Sequence, residues 1–180
     1  LDPKATGLMI ICTGKKTKSL NELLGSDKEY EGVMILGEKT KSFDSETEVY
    51  ETKPVEHLTD EMIKEAAEGF LGESDQVPPM YSAVKHKGKP LYRLARKGHE
   101  LEREPRRVKI KEFEVTFVKL PEAGFRVSCS KGTYIRTLIS DLGEKLGTGA
   151  YLKELRRTKI GEFDIKDSIT VDEFISRNRN

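Results

Sequence analysis

Three polar residues of this sequence have types and neighbours that could support chemistry. Asp2 lies in a turn-forming segment ahead of an apolar run, and a carboxylate can attack an electrophile or accept a proton. Arg136 falls in the first turn of a predicted helix, where a cation opposes the helix dipole and calls for an anionic partner. Tyr30 starts a predicted strand. Taken singly, each has a simpler interpretation as a turn aspartate, an exposed arginine or a structural tyrosine.

A fourth candidate is the basic segment, residues 76–98, in which cations interleave with Tyr81 and Tyr92. Its cations include Lys85, Lys87, Lys89, Arg93 and Arg96. Cations that pair with phosphates and rings that pack on bases or sugars are typical of RNA-binding surfaces. A solvated basic loop is the competing interpretation. Arg156 and Arg157 form a further basic pair beside apolar residues.

The elements that must position these residues begin with four predicted strands. Residues 8–12 form a short apolar run typical of a buried strand, and residues 30–36 form another. Apolar and polar residues alternate over 108–117 and 125–129, so these strands could pair as a hairpin. The alternation slips once after Lys111, which predicts a β-bulge.

Helices are predicted between and after the strands. Residues 15–24 form one, and Thr59 is the expected N-cap of a second. The apolar face of that second helix consists of Met62, Ile63, Ala66 and Phe70. Residues 135–146 keep helical spacing up to Gly147, and Thr170 caps a last short helix. Intermingled strands and helices without regular βαβ spacing indicate an α+β fold with a mixed, largely antiparallel sheet.

Composition fits one domain, because the chain has 180 residues and 36% hydrophobic content. The formal net charge is only +1, but the charges are segregated. Residues 44–75 hold eleven acids and two bases, whereas residues 76–111 hold eleven bases and three acids. Residues 131–160 add seven bases against three acids. Local basic fields of this kind can hold a polyanion despite the near-zero net charge.

Several protein classes are disfavoured by the sequence. No apolar run approaches the ~20 residues that span a bilayer, and no signal peptide is visible. Cys12 and Cys129 cannot make a disulfide framework, and they lack the spacing of a zinc site. We therefore expect a reducing compartment, no membrane association and no metal.

Six motifs, in order and across nearly the whole chain, resemble the TruB family of tRNA pseudouridine synthases. They are Leu-Asp-Pro-x-Ala-Thr-Gly at 1–7, Lys-x-Tyr ending at Tyr30, Pro-x-Tyr-Ser-Ala-x-Lys at 79–85, Leu-Tyr-x-x-Ala-Arg-x-Gly at 91–98, Ser-Lys-Gly-Thr-Tyr-Ile-Arg at 130–136 and Leu-Arg-Arg at 155–157. Each motif alone is a weak signal, but six in the family's order are specific.

The resemblance implies a pseudouridine synthase fold with a cleft in a mixed, largely antiparallel sheet flanked by helices. It implies isomerisation of uridine to pseudouridine at position 55, in the T loop of tRNA, with no cofactor and no metal. Asp2 matches the catalytic aspartate, acting at C1′ or C2′ of the flipped-out nucleotide. Tyr30 matches the tyrosine that stacks on the uracil, and Arg136 matches the arginine that pairs with the aspartate. Tyr134 and Leu155 match positions in the pocket wall.

The resemblance also indicates how the RNA is held. The expected RNA-binding residues are Lys85, Lys87, Lys89, Arg93, Arg96, Arg156 and Arg157. Asp44 stands at a recurrent acidic position, as a partner for one of these arginines or for Arg136. We expect a monomer with one catalytic domain, residues 1–180, a basic insertion at 76–102 and the T arm of tRNA as its partner.

The sequence departs from the family pattern in three places. A strand and a His-x-Gly-Thr segment ahead of the first motif are expected to be absent, as is a C-terminal PUA-like domain. Tyr151 stands where many members have histidine. The expected location is the cytoplasm, or an organelle after removal of a transit peptide.

Two other functions stay open at this point. One is a non-catalytic RNA-binding or RNA-folding module, and the other is a guide-RNA-dependent pseudouridine synthase subunit. A hydrolytic glycosidase is disfavoured because no motif supplies a second carboxylate as general acid.

Overall fold

The computed structural model of this chain describes residues 1–178. The strands are β1 (Thr6–Gly7), β2 (Lys28–Leu36), β3 (Glu38–Thr40), β4 (Val49–Thr52), β5 (Gly72–Gln76), β6 (Lys85–His86), β7 (Lys89–Pro90), β8 (Arg106–Lys119), β9 (Glu122–Cys129), β10 (Ala150–Ile160) and β11 (Phe163–Asp164). The helices are α1 (Leu20–Gly25), α2 (Asp60–Glu68), α3 (Leu91–Ala95), α4 (Ile135–Lys145) and α5 (Val171–Asn178), with 3₁₀ turns at Gly14–Ser19 and Ile165–Asp167.

A mixed seven-stranded sheet organises the molecule. Its spatial order is β1-β10-β2-β9-β8-β5, with β11 beside the end of β10. The pairing of β1 with β10 is parallel, whereas the other pairings in this sheet are antiparallel. The α+β class with a largely antiparallel sheet is therefore confirmed.

The predicted hairpin is confirmed as β8 and β9. Ile110 lies opposite Cys129 and Glu112 lies opposite Ser128, so Lys111 is the extra residue of a bulge, as the slipped alternation predicted. The strand predicted over 30–36 is confirmed within β2.

The two faces of the sheet differ in chemistry. Side chains such as Met34, Phe125 and Val127 point from the central strands into a buried apolar core, which also holds Ile63 of α2 and Leu142 of α4. Because side chains alternate along a strand, the opposite face carries the polar residues. We call this opposite face the outer face; it holds the ion pairs Arg156–Glu31, Arg126–Glu114 and Lys153–Glu122.

Helix ends follow the predicted signals. Thr59 accepts a hydrogen bond from the Met62 amide at 3.3 Å and caps α2. Gly147, with φ of 76°, lies just past the end of α4. Thr170 caps α5, since its hydroxyl accepts from the Glu173 amide at 3.2 Å while the Glu173 carboxylate accepts from the Thr170 amide at 2.7 Å.

One glycine brings α4 close to the sheet. A Cβ on Gly143 would lie 2.1 Å from the backbone nitrogen of Ala150 at the start of β10. Only glycine allows this approach, which packs the C-terminal end of α4 directly on the start of β10.

Three sequence predictions need correction. Residues 8–12 do not form a strand: β1 ends at Gly7, and Met9 and Ile11 are 63% and 78% exposed. The hydrogen-bond ladder between β1 and β10 stops here because the Leu8 carbonyl accepts from the Arg157 guanidinium instead of from a strand amide. The predicted helix over 15–24 begins as a 3₁₀ turn, with α-helical geometry only from Leu20. Met62, placed on the apolar face of α2, is 41% exposed.

Within residues 1–178, the helices are too short or too polar to cross a lipid bilayer.

Candidate active site

A cleft of about 460 Å³ brings together the residues that the sequence singled out. Its walls come from the turn before β1, from β2 and β10, from the start of α4, and from the basic segment. The residues lining it include Asp2, Tyr30, Tyr134, Arg136 and Leu155, together with Asp44, Glu46, Tyr81, Ser82, Tyr92 and Arg96.

The centre of this cleft is a two-point contact between Arg136 and Asp2. Nη2 of Arg136 donates to Oδ1 of Asp2 at 2.9 Å, and its Nε lies 2.8 Å from Oδ2. The arginine side chain is 4% exposed, whereas the carboxylate is 35% exposed and faces the cleft. The guanidinium therefore orients the carboxylate and leaves it accessible to a substrate.

The rest of the Arg136 guanidinium is also held. Nη1 donates to the Ser42 carbonyl at 3.1 Å and lies 3.3 Å from Oδ2 of Asp44. Nη2 also donates to the Tyr81 carbonyl at 2.8 Å. Two carboxylates and two carbonyls around one buried cation satisfy its charge and leave it little freedom to move.

Asp44 is itself fixed by its own loop. Its Oδ1 accepts from the Ser42 hydroxyl at 2.6 Å and from the Glu46 amide at 2.8 Å. The acidic position noted in the sequence is thus a second partner of Arg136, and not of an arginine in the basic segment.

Tyr30 lies on β2 directly opposite Arg157 of β10. Burial is the main cause that raises the pKa of the Tyr30 phenol, and a hydrogen bond from Arg157 opposes the increase. The phenol therefore stays protonated at neutral pH, with its ring in the cleft wall.

Arg157 binds the backbone just after β1. Its Nε and Nη2 both donate to the Leu8 carbonyl, at 2.9 and 2.8 Å. Because Arg157 pairs with Tyr30 across the neighbouring strands, its side chain links the residue after β1 to the strand that carries Tyr30.

Arg156 points the other way from the cleft. It lies on the outer face, where its Nε is 3.7 Å from Glu31. The structure therefore brings neither Arg156 nor Arg157 into the basic segment, with which the sequence grouped them, and a contact with RNA stays a prediction for both.

The basic segment projects its cations away from the core. Strands β6 and β7 form a small hairpin with Lys87 and Gly88 at its tip, both with positive φ as a tight turn requires. The exposed side chains of this segment include Lys85, Lys87, Lys89, Arg93 and Arg96. Arg96 borders the cleft, with its Nη2 donating to Glu46 at 2.8 Å and its guanidinium 5.7 Å from the centre of the Tyr92 ring.

Sequence reasoning missed one buried polar residue beside the cleft, Gln76. Its amide makes two hydrogen bonds with the backbone of Tyr134, at 2.8 and 3.1 Å. No local pattern marks a side chain that binds a peptide 58 residues away; the available signal is that Gln76 lies two residues before the Pro78-Pro79 break.

Among the described residues, no group of three or more His, Cys, Asp or Glu side chains is arranged to hold a metal ion.

Known protein families match the chain in two parts. Residues 1–135 match the N-terminal domain of the TruB family pseudouridylate synthases. Residues 136–178 match the C-terminal domain of tRNA pseudouridylate synthase B.

Bacterial relatives align with nearly the whole chain. The tRNA pseudouridine synthase B of Flavobacterium johnsoniae is 51% identical over 97% of this chain and 76% of its own length. The enzyme of the same name from Chlorobaculum tepidum is 50% identical over 96% of this chain and 72% of its own length.

Solved structures share the fold. The Cbf5-Nop10-Gar1 complex contains a chain that matches with a TM-score of 0.70 and 31% identity over 98% of this chain, which spans 43% of that chain. An H/ACA RNP bound to a substrate RNA containing 2′-deoxyuridine matches with a TM-score of 0.69 and 28% identity, over 98% of this chain and 42% of that one. From the family match, the relatives and the shared fold, we conclude that the chain belongs to the TruB family of pseudouridylate synthases.

Proposed function

We propose that this protein isomerises uridine to pseudouridine in tRNA, with Asp2 as the catalytic residue. The observation that carries the proposal is the cleft in which a buried arginine holds one accessible carboxylate beside an aromatic wall. The names of its bacterial relatives supply the substrate class.

The reaction detaches uracil from C1′, turns it over and joins C5 to C1′. The C1′–N1 bond breaks and the C1′–C5 bond forms; C5 gives up its proton to a base and N1 takes up a proton. Substrate and product are therefore isomers, and no water is consumed. An anionic Asp2 can attack C1′ or remove a proton from C2′, and either route needs the carboxylate to be oriented. The two-point contact with Arg136 supports both routes equally.

The detached base must stay in the cleft while it turns. Tyr30 lines the cleft and offers a ring face for the uracil and a hydroxyl for handling the proton that leaves C5. Tyr134 and Leu155 close the wall around it. We assign substrate binding to Tyr30, Tyr134, Arg136 and Leu155 on this basis.

Access to the uridine requires base flipping, since the target nucleotide lies within folded RNA. Extruding a base costs a few kcal/mol, which phosphate contacts can supply. Arg96 of the basic segment lines the cleft, and the other cations of the segment are exposed, which suits this role. We therefore propose the T arm of tRNA, at position 55, as the partner, held by the insertion at 76–102.

The proposed unit is one domain acting as a monomer in the cytoplasm. Arg136, in the part matching the C-terminal family domain, pairs with Asp2 in the part matching the N-terminal one. Residues from the two matched regions thus form one site.

The experiment measures tritium release from a T-loop RNA that carries C5-tritiated uridine. We expect release by the wild type and by Asp167→Asn, an exposed control, but none by Asp2→Asn, which should still bind the RNA. Binding without release by the wild type would favour an RNA-binding module instead. Release only after addition of a guide RNA and partner proteins would favour a guide-dependent subunit, as the match to the H/ACA RNP suggests.

A further inference from the structure

Gln76 is the only glutamine of the sequence, and it ends β5 at the edge of the main sheet. Its side chain is turned inward and the residue is 6% exposed. Oε1 accepts from the Tyr134 amide at 2.8 Å, and Nε2 donates to the Tyr134 carbonyl at 3.1 Å. The primary amide thus pairs with both polar groups of one residue, as a neighbouring strand would.

The residue that it clamps stands at the start of α4. Tyr134 is the N-cap, and in the described part of the chain this helix has no side-chain cap. The Tyr134 carbonyl also accepts the first helical hydrogen bond, from the Leu138 amide at 3.1 Å. Holding this peptide therefore sets where the helix begins, and Arg136 lies two residues further along it.

Gln76 also lies at the base of the basic segment. Five residues later, the Tyr81 carbonyl accepts from Nη2 of Arg136, the nitrogen that also donates to Asp2. The segment is thus tied to α4 at two points, one through Gln76 and one through the catalytic pair.

We infer that Gln76 is a positioning residue: its amide holds the Tyr134 peptide, and through that peptide it sets the placement of Arg136 against Asp2. The inference rests on the proposed function for its kinetic consequence. It does not require Gln76 to touch RNA, since its side chain is buried against Tyr134.

The first test separates chemistry from binding. A displacement of about 1 Å in a catalytic group can cost ~10²-fold in rate, so Gln76→Ala should slow single-turnover pseudouridine formation by about ten- to a hundredfold. The Kd for T-loop RNA should change less than threefold, because the cations of the basic segment stay in place. A loss of binding with an unchanged single-turnover rate would overturn the inference.

The second test uses the isosteric Gln76→Glu. Its carboxylate can still accept from the Tyr134 amide, but it has no hydrogen to donate to the Tyr134 carbonyl. Protonation of the glutamate restores that donor. The rate of Gln76→Glu relative to the wild type should therefore rise as the pH falls from about 8 to 5.5, whereas the relative rate of Gln76→Ala stays flat.

Asn21→Asp is the matched control, because it makes the same amide-to-acid change at an exposed position of α1. Its relative rate should be near one at every pH. A flat relative rate for Gln76→Glu, or one that follows the control, would contradict the inference.

Hydrogen exchange at the Tyr134 amide tests the clamp without any activity. The amide should be protected in the wild type and exchange at least tenfold faster in Gln76→Ala, with α4 amides from Leu138 onward still protected. Unchanged protection would overturn the inference even in an active enzyme. An inactive wild type with faster exchange in Gln76→Ala would instead refute the proposed function and leave the clamp standing.

Discussion

Arg136 and Arg156 both stand within ion-pair distance of a carboxylate, on opposite sides of the same region of the sheet. The Arg136 side chain is 4% exposed and is surrounded by two carboxylates and two carbonyls, whereas Arg156 is 55% exposed and lies 3.7 Å from Glu31. An exposed pair of this kind contributes about 0–1 kcal/mol, while removing one partner of a buried pair costs about 3–5 kcal/mol. Burial and the number of anionic and carbonyl partners, and not the presence of an ion pair, therefore distinguish the site from the outer face.

The largest effect should follow Arg136→Lys. A lysine keeps the charge but cannot make the two-point contact with Asp2 and also reach both carbonyls. We expect the single-turnover rate to fall by about 10²-fold or more, with the Kd for T-loop RNA within a few-fold of the wild type. Rapid-quench measurement of tritium release checks the rate, and Arg156→Lys on the outer face is the control. Equal rates for the two variants would abolish the distinction between the regions.

A smaller effect should follow Asp44→Asn. The amide oxygen can still accept from Ser42 and Glu46, but the negative charge 3.3 Å from Arg136 is lost. We expect a rate loss of about tenfold, equivalent to ~1.4 kcal/mol, because Arg136 loses one of the two anions that centre it. The same assay checks this variant, with Glu31→Gln as the outer-face counterpart. A rate equal to that of the wild type would show that Asp2 alone fixes the arginine.

Substitutions at the mouth of the cleft should change the affinity for RNA and not the single-turnover rate. Arg96 donates to Glu46 in the free protein, so an RNA phosphate must compete with that carboxylate. We expect Arg96→Gln to weaken RNA binding and to lower the slope of the logarithm of the binding constant against the logarithm of salt concentration by about one. Glu46→Gln should strengthen binding about two- to threefold. Fluorescence anisotropy across a salt series measures both. Changes of the same sign in the two variants would contradict the competition.

The smallest effect is expected for a substitution on the outer face, measured as a change in stability. Arg126 and Glu114 are both about half exposed and lie 2.8 Å apart. Arg126→Gln should change the free energy of unfolding by less than about 0.5 kcal/mol, as urea denaturation can show. A decrease in the free energy of unfolding above about 2 kcal/mol would mean that exposure does not predict how much an ion pair contributes to stability.

Much of the fold could be predicted because its signals are local. The β8–β9 hairpin and its bulge follow from alternation, and α2 follows from Thr59 and its apolar spacing. Residues 8–12 show where prediction from local signals fails, since a short apolar run does not indicate whether a partner strand lies beside it. Here the Arg157 side chain takes the Leu8 carbonyl and ends the ladder.

The site also contains residues that could be predicted from local motifs and residues that could not. Motifs matched to the family led to Asp2, Tyr30 and Arg136, and the structure brings all three into one cleft. Gln76 and the inward role of Arg157 could not be predicted, because each binds backbone distant in sequence, and such contacts leave no spacing or composition to detect.

A double-mutant cycle between Asp44→Asn and Arg136→Lys tests the central claim most directly, namely that the buried charges act as one unit on Asp2. Single-turnover tritium release is measured for the wild type, both single variants and the double variant. If Asp44 acts through Arg136, the double variant should be about as slow as Arg136→Lys alone, a loss of about 10²-fold. Two losses that multiply to about 10³-fold would show that the two residues act independently and would contradict the account.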